Sequence, residues 1–202
     1  MSASSQPEHA AAASPPSNWN IANALTTLRL VLVPLFGWLL LMDDGNDDST
    51  RFAALAVFLI AAITDRFDGD LARKRGLVTD FGKIVDPIAD KALMGMAFIG
   101  LSLLGELWWW VTALVIFREL GITLLRFWVI RHGVMAASRG GKLKTVLQVV
   151  ALAIYVCPLP EQLYVVAHLT MGAAVAVTLA TGADYVIKAL ALRREGMGAR
   201  VQ

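Results

Sequence analysis

Residues 64–92 read TDRFDGDLARKRGLVTDFGKIVDPIADKA, and carboxylates recur in them at helical spacing on both sides of a glycine- and arginine-containing middle. Asp65 and Asp68 lie three residues apart, Asp86 and Asp90 four apart. On helices, each pair projects from one face. Two such faces set against each other make a four-carboxylate cage, whose mutual repulsion destabilises it unless cations intervene. The donors are all oxygen, with no histidine or cysteine, so the pattern predicts Mg2+ or Mn2+ rather than zinc. Two ions are expected, because a pair about 3.5–4 Å apart suits displacement at phosphorus. Gly69 lets a ligand approach the backbone, and Arg73 offers a guanidinium to phosphate oxygens. Pro87 predicts a helix start close to it. Asp70 and Asp80 read as solvated charges.

The chain around this stretch is apolar. Of 202 residues, 57% are hydrophobic and only 17% charged, which predicts an all-α, polytopic membrane protein rather than a soluble domain. Stretches 21–42, 51–72, 84–105, 107–131, 142–159 and 162–188 each approach the roughly 20 helical residues that cross a hydrocarbon core of about 30 Å. Six transmembrane helices in one domain, 21–192, are therefore expected. Residues 1–20 are rich in Ala, Ser and Pro and lack Lys and Arg, which predicts a disordered tail and not a cleaved signal peptide. Residues 193–202 read as a basic tail. The net charge of +2 gives no reason to expect nucleic acid as a partner.

Basic residues are segregated along the chain. Arg66, Arg73, Lys74, Arg75 and Lys83 flank the second loop, Arg131, Arg139, Lys142 and Lys144 the fourth, and Lys188, Arg193, Arg194 and Arg200 the end. The first loop instead carries Asp43, Asp44, Asp47 and Asp48 with Arg51 alone, the third Glu106 and the fifth Glu161. The positive-inside rule then places both termini and the carboxylates on the cytoplasmic side of the cell membrane. Trp108, Trp109 and Trp110 fall at the opposite boundary, where an aromatic belt is expected. Cys157, the one cysteine, reads as a small packed hydrophobe.

The spacing Asp65-x-x-Asp68-Gly69-x-x-Ala72-Arg73, eight residues, Gly82-x-x-x-Asp86-x-x-x-Asp90 resembles without a gap the signature of the CDP-alcohol phosphatidyltransferases. So many positions at fixed spacing are far more specific than a lone glycine motif. The resemblance implies a six-helix membrane enzyme that displaces CMP from a CDP-linked lipid with an alcohol. It implies that Asp65, Asp68 and Asp86 hold the ions with help from Asp90, and that Asp90 is the base for the alcohol proton. It also implies that Asp65, Asp68, Gly69, Ala72 and Arg73 line the nucleotide site, and that the enzyme is a homodimer.

Further basic residues suggest an acceptor that carries phosphate. Arg118 lies in an apolar helix, where arginine is costly unless it faces a polar cavity or a partner. Arg126 follows two turns later, and Lys142, Lys144 and Thr145 open the fifth helix, where an anion is favoured. Two other readings stand beside this one: Arg118 pairing with Glu119 or an aspartate, and Lys142 and Lys144 lying among lipid headgroups. The run Asn20-Ile21-Ala22-Asn23-Ala24-Leu25-Thr26 with Arg29, together with Arg118-Glu119 and Gly141-Lys142-x-Lys144-Thr145, is similar to the phosphatidylglycerophosphate synthase branch, although Ala22 stands where that branch commonly has proline. That resemblance implies CDP-diacylglycerol and sn-glycerol 3-phosphate as substrates, with Asn23, Thr27 and Arg29 as secondary contacts to the CDP-lipid. An inositol phosphate acceptor is the alternative within the family. A small ion transporter is the alternative of another class, but its sites are commonly near the bilayer midplane and made from repeats.

Overall fold

A computed structural model describes residues 21–75, 80–129 and 139–198. These form six α-helices, with no strand among the described residues: α1 (Ile21–Leu41), α2 (Asp48–Arg75), α3 (Asp80–Leu103), α4 (Trp109–Val129), α5 (Arg139–Val156) and α6 (Tyr164–Gly198). Both carboxylate pairs therefore fall on helices. The tails at residues 1–20 and 199–202 lie outside the described residues, as does the loop containing His132. The backbone of α6 is helical to Gly198, six residues beyond the domain end expected at 192.

The turns follow local chemistry. Asp47 accepts the Thr50 backbone N–H through Oδ2 at 2.9 Å, an N-cap for α2. Gly105, at φ 74°, takes the left-handed conformation that ends α3, and the Glu106 and Leu107 N–H groups both turn back to the Leu101 carbonyl, as a helix C-cap requires. Pro87 is a correction to the sequence reading. It sits inside α3, which begins at Asp80, and not at a helix start. A proline removes one hydrogen bond from such a helix, and neighbouring helices in a membrane bundle can absorb that loss.

α1 packs on α2 and α3, while α6 packs on α4 and α5, and α2 and α3 join the two groups through α5 and α4. Phe36, Leu40, Phe58, Leu93, Phe98, Leu101, Leu152 and Val156 fill the centre. Two glycines set the approach of α1 to α3: a Cβ at Gly37 would stand 2.7 Å from Met96 Sδ, and one at Gly100 2.7 Å from Leu40 Cδ2. Small residues of this kind let membrane helices come close. Here they set the spacing of α1 and α3 toward the ends of the two helices away from the carboxylates.

Large apolar side chains are exposed on all six helices, among them Val31, Trp38, Phe52, Ile63, Leu103, Phe117, Leu124, Leu143, Leu169 and Ile187. An apolar outer surface of that extent points to a lipid or protein environment. By length and composition, segments 23–45 and 164–191 are long and apolar enough to cross a membrane. The other helices carry charges such as Asp65, Asp90, Glu119 and Lys144, which lowers their mean apolarity.

Arg51, the odd cation of the acidic first loop, is buried at 2% exposure. Its guanidinium donates to both Glu106 carboxylate oxygens at 2.5 and 2.9 Å, and to the Tyr155 and Val156 carbonyls at 2.6 and 3.1 Å. It thereby joins α2, the α3–α4 turn and the C-terminal end of α5, where unpaired carbonyls favour a cation. Trp108, Trp109 and Trp110 are exposed beside this clamp, with Trp108 stacked on Trp110 at 6.2 Å.

Candidate active site

α1 supports the carboxylates. Along an apolar helix, Asn23, Thr26 and Arg29 recur every third residue and all three are buried. Arg29, with no exposed surface, pairs through Nη1 with Asp65 Oδ1 at 2.7 Å. Thr26 donates its hydroxyl to Asp86 Oδ1. Residues three apart on a helix lie on one face, so α1 ties a carboxylate from α2 and one from α3 to a single face at nearly one depth.

Thr27 behaves differently. It is exposed, about 100° further round the helix than Thr26, and returns its hydroxyl to the Asn23 carbonyl at 2.9 Å. Thr26 is the threonine that meets the carboxylates, and the sequence reading missed it. The i, i+3 polar stripe in which it sits was the available signal.

Asp90 stands one turn further along α3, half-buried, with Asp65 and Glu119 as its anionic neighbours and Lys144 and Arg29 as its cationic ones. It lines a cavity of about 230 Å³ between α3, α4 and α5, together with Lys91, Glu119, Lys144, Thr145 and Gln148 at the polar end and Met94, Phe98, Val115 and Ile116 at the apolar end. The space is large enough for a small molecule, and its polar groups are gathered at one end. Lys144 is buried and donates to Glu119 Oε1 at 2.5 Å. Arg118 Nη1 donates to the same oxygen at 2.9 Å, and Arg118 Nη2 to Thr181 Oγ1 at 2.8 Å. Arg118 thus takes the structural alternative, pairing with Glu119 and Thr181; Glu119 lines the cavity, and Arg118 is not among the residues that do.

The remaining sequence candidates are not brought together in this way. Lys142 is exposed. The side chains of Asp68, Gly69, Ala72, Arg73 and Arg126 lie outside the described residues. Lys91 was not singled out by the sequence reading, and it stands in the cavity beside Asp90.

Among the described residues, no three His, Cys, Asp or Glu side chains form a cluster able to hold a metal ion. The donor chemistry nonetheless fits a hard cation. Asp65, Asp86 and Asp90 offer carboxylate oxygens and Thr26 a hydroxyl, hard donors of the kind Mg2+ and Mn2+ prefer.

Known proteins resemble this chain over most of its length. A family model described as CDP-alcohol phosphatidyltransferase matches residues 19–180. The chain is 53% identical over 190 residues, covering 94% of it and 91% of the relative, to "Probable phosphatidylglycerophosphate synthase" of Mycobacterium tuberculosis. It is 38% identical over 183 residues (84% of this chain, 95% of the relative) to "CDP-diacylglycerol--glycerol-3-phosphate 3-phosphatidyltransferase" of Bacillus subtilis. A protein of the same description from Escherichia coli K12 is 41% identical over 143 residues, 67% of this chain and 75% of that one. The matched region contains α1 to α5, every carboxylate of the signature and the cavity between α3, α4 and α5, and on these findings the chain belongs to the CDP-alcohol phosphatidyltransferase family.

Proposed function

We propose that this chain transfers the phosphatidyl group of CDP-diacylglycerol to sn-glycerol 3-phosphate, releasing phosphatidylglycerophosphate and CMP. The observation that carries the acceptor side of this reading is the single cavity shared by Asp90, Lys144 and Thr145. A carboxylate and a cation in one small space suit an alcohol that also bears phosphate. The relatives' descriptions name the same donor and acceptor.

Asp90 takes the proton from the acceptor hydroxyl as its oxygen attacks the phosphatidyl phosphorus. The new P–O bond forms while the bond to the CMP phosphate breaks, so the electron pair leaves with CMP. No side chain is modified, and the displacement is one step. Arg29 holds Asp65, and Thr26 holds Asp86, so the two carboxylates keep their places as charge redistributes. Asp68, Gly69, Ala72 and Arg73 belong to the nucleotide site by family resemblance, with Asn23 as a secondary contact to the CDP-lipid on the same ground. Asp65, Asp68, Asp86 and Asp90 are the residues that would hold two Mg2+ or Mn2+ ions. When bound, such ions neutralise charge on the departing phosphate.

The reading extends to the membrane. Six spanning helices, with both termini and the carboxylates at the cytoplasmic face of the cell membrane, are supported by the apolar side chains exposed on every helix and by the loop charges. The buried Arg51–Glu106 clamp supports the same orientation, since it removes the one basic residue of the outer loops from the water-facing charge. α5, at 18 residues, is about 27 Å long, close to the thickness of the hydrocarbon core. A homodimer is retained on family resemblance.

The test is CMP release by purified protein in detergent with CDP-diacylglycerol and Mn2+ or Mg2+. Release is expected only after glycerol 3-phosphate is added, and chelation is expected to stop it. Release that proceeds equally without any acceptor would make the protein a hydrolase and reject the reading.

A further inference from the structure

Lys91 is half-buried on α3, next to Asp90 in sequence, and lines the same cavity as Asp90, Glu119 and Lys144. Its Nζ donates to Thr123 Oγ1 at 2.7 Å, and the Thr123 hydroxyl donates in turn to the Glu119 main-chain carbonyl at 2.8 Å. Thr123 thus uses its only proton on α4 and presents a lone pair to the ammonium. This fixes the direction of the lysine side chain. An ammonium has three N–H donors, and two remain for a ligand.

The charges of the cavity separate Lys91 from its neighbours. Lys144 and Arg118 share the Glu119 carboxylate at 2.5 and 2.9 Å. Lys91 makes no ion pair among the described residues; its polar contact is the neutral Thr123 hydroxyl. A cation held inside an apolar bundle against a neutral partner is costly to keep, and the cost falls when an anion enters beside it.

We infer that Lys91, held by Thr123, is a binding residue for the phosphate of the acceptor, and that it adds a positive charge with no carboxylate partner among the described residues to the one left over where the single Glu119 carboxylate meets both Lys144 and Arg118. The acceptor phosphate lies between α3 and α5, reached by Lys91 from one side and Lys144 from the other. Its hydroxyl end is then left toward Asp90. This inference rests on the proposed function in requiring a phosphorylated acceptor, and it makes Lys91 a determinant of the preference for glycerol 3-phosphate over uncharged glycerol.

The test compares the wild type with Lys91→Met, Lys91→Arg and Thr123→Val, using initial rates with glycerol 3-phosphate and, separately, with glycerol at high concentration. Losing a hydrogen bond to a charged group corresponds to roughly a ten- to hundredfold effect. Lys91→Met is therefore expected to raise the KM for glycerol 3-phosphate at least about tenfold and to lower its preference over glycerol by the same factor, with the CDP-diacylglycerol KM changed less than about twofold. Lys91→Arg, which keeps the charge, is expected to recover most of the preference. Thr123→Val, which removes the anchor but no charge, should raise the acceptor KM by a smaller factor and keeps the idea testable if Lys91→Met does not fold. Equal loss of rate with both acceptors, or an unchanged acceptor KM in Lys91→Met or Thr123→Val, would overturn the assignment. A wild type that prefers inositol phosphate would instead reject the acceptor reading, and the same ratio measured with inositol phosphate and inositol would then decide the role of Lys91.

Discussion

Asp90→Asn is expected to lower CMP release by about a hundred- to ten-thousandfold, the range over which a positioned general base contributes. Asparagine keeps the shape of the side chain and an oxygen able to accept a hydrogen bond, but it cannot take a proton from the acceptor hydroxyl. Asp65 and Asp86 are held by Arg29 and Thr26 on α1, independently of Asp90. The CDP-lipid should consequently still bind, with affinity reduced by less than about tenfold. Rapid-quench kinetics and equilibrium binding of labelled CDP-diacylglycerol separate the two effects. If binding is lost together with turnover, Asp90 acts chiefly as an ion ligand, and the base must be sought elsewhere in the cavity.

Glu119→Ala should damage the fold as well as the site. One Glu119 oxygen accepts from both Arg118 and Lys144, whose side chains are 12% and 9% exposed. Truncating it leaves two cations among apolar helices with their shared counter-charge gone. Breaking a buried ion pair by removing one partner costs about 3–5 kcal/mol, which for a chain of this size corresponds to a fall in Tm on the order of 10 °C. Glu119→Gln should fall less, because its amide oxygen still accepts from either cation. Adding Lys144→Met to Glu119→Ala should recover part of the loss, since the double variant lacks one of the stranded charges. The coupling is read from the two single variants and the double by thermal unfolding in detergent. Strict additivity would show that Lys144 and Glu119 are adjacent without being energetically linked.

The periodic features of this molecule were the legible ones. Carboxylates three and four apart marked α2 and α3 as the helices of the site, and long apolar runs marked the six helices within a few residues of their ends, except that α6 runs ten residues past 188, through its basic end, to Gly198. Contacts between distant residues were not legible in the same way. Arg51 and Glu106 were both read as charges of outer loops, whereas the fold joins them across 55 positions and buries the arginine. Thr26 and Thr27 are chemically identical, so only the helical phase set by Asn23 and Arg29 separates the one facing Asp86 from the one facing outward. Pro87 misled because proline is at home in a first helical turn, while the backbone of α3 was already helical from Asp80. Lys91 was overlooked because nothing in its sequence neighbourhood reveals that Thr123, on another helix, fixes its direction.

The central claim is the identity of the transfer, and incorporation of labelled acceptor into chloroform-soluble phospholipid tests it most directly. With CDP-diacylglycerol and Mn2+ or Mg2+ present, labelled glycerol 3-phosphate is expected to enter lipid in step with CMP release and well ahead of labelled inositol phosphate supplied at the same concentration. Faster entry of inositol phosphate, or CMP release with no label reaching the lipid, would contradict the account.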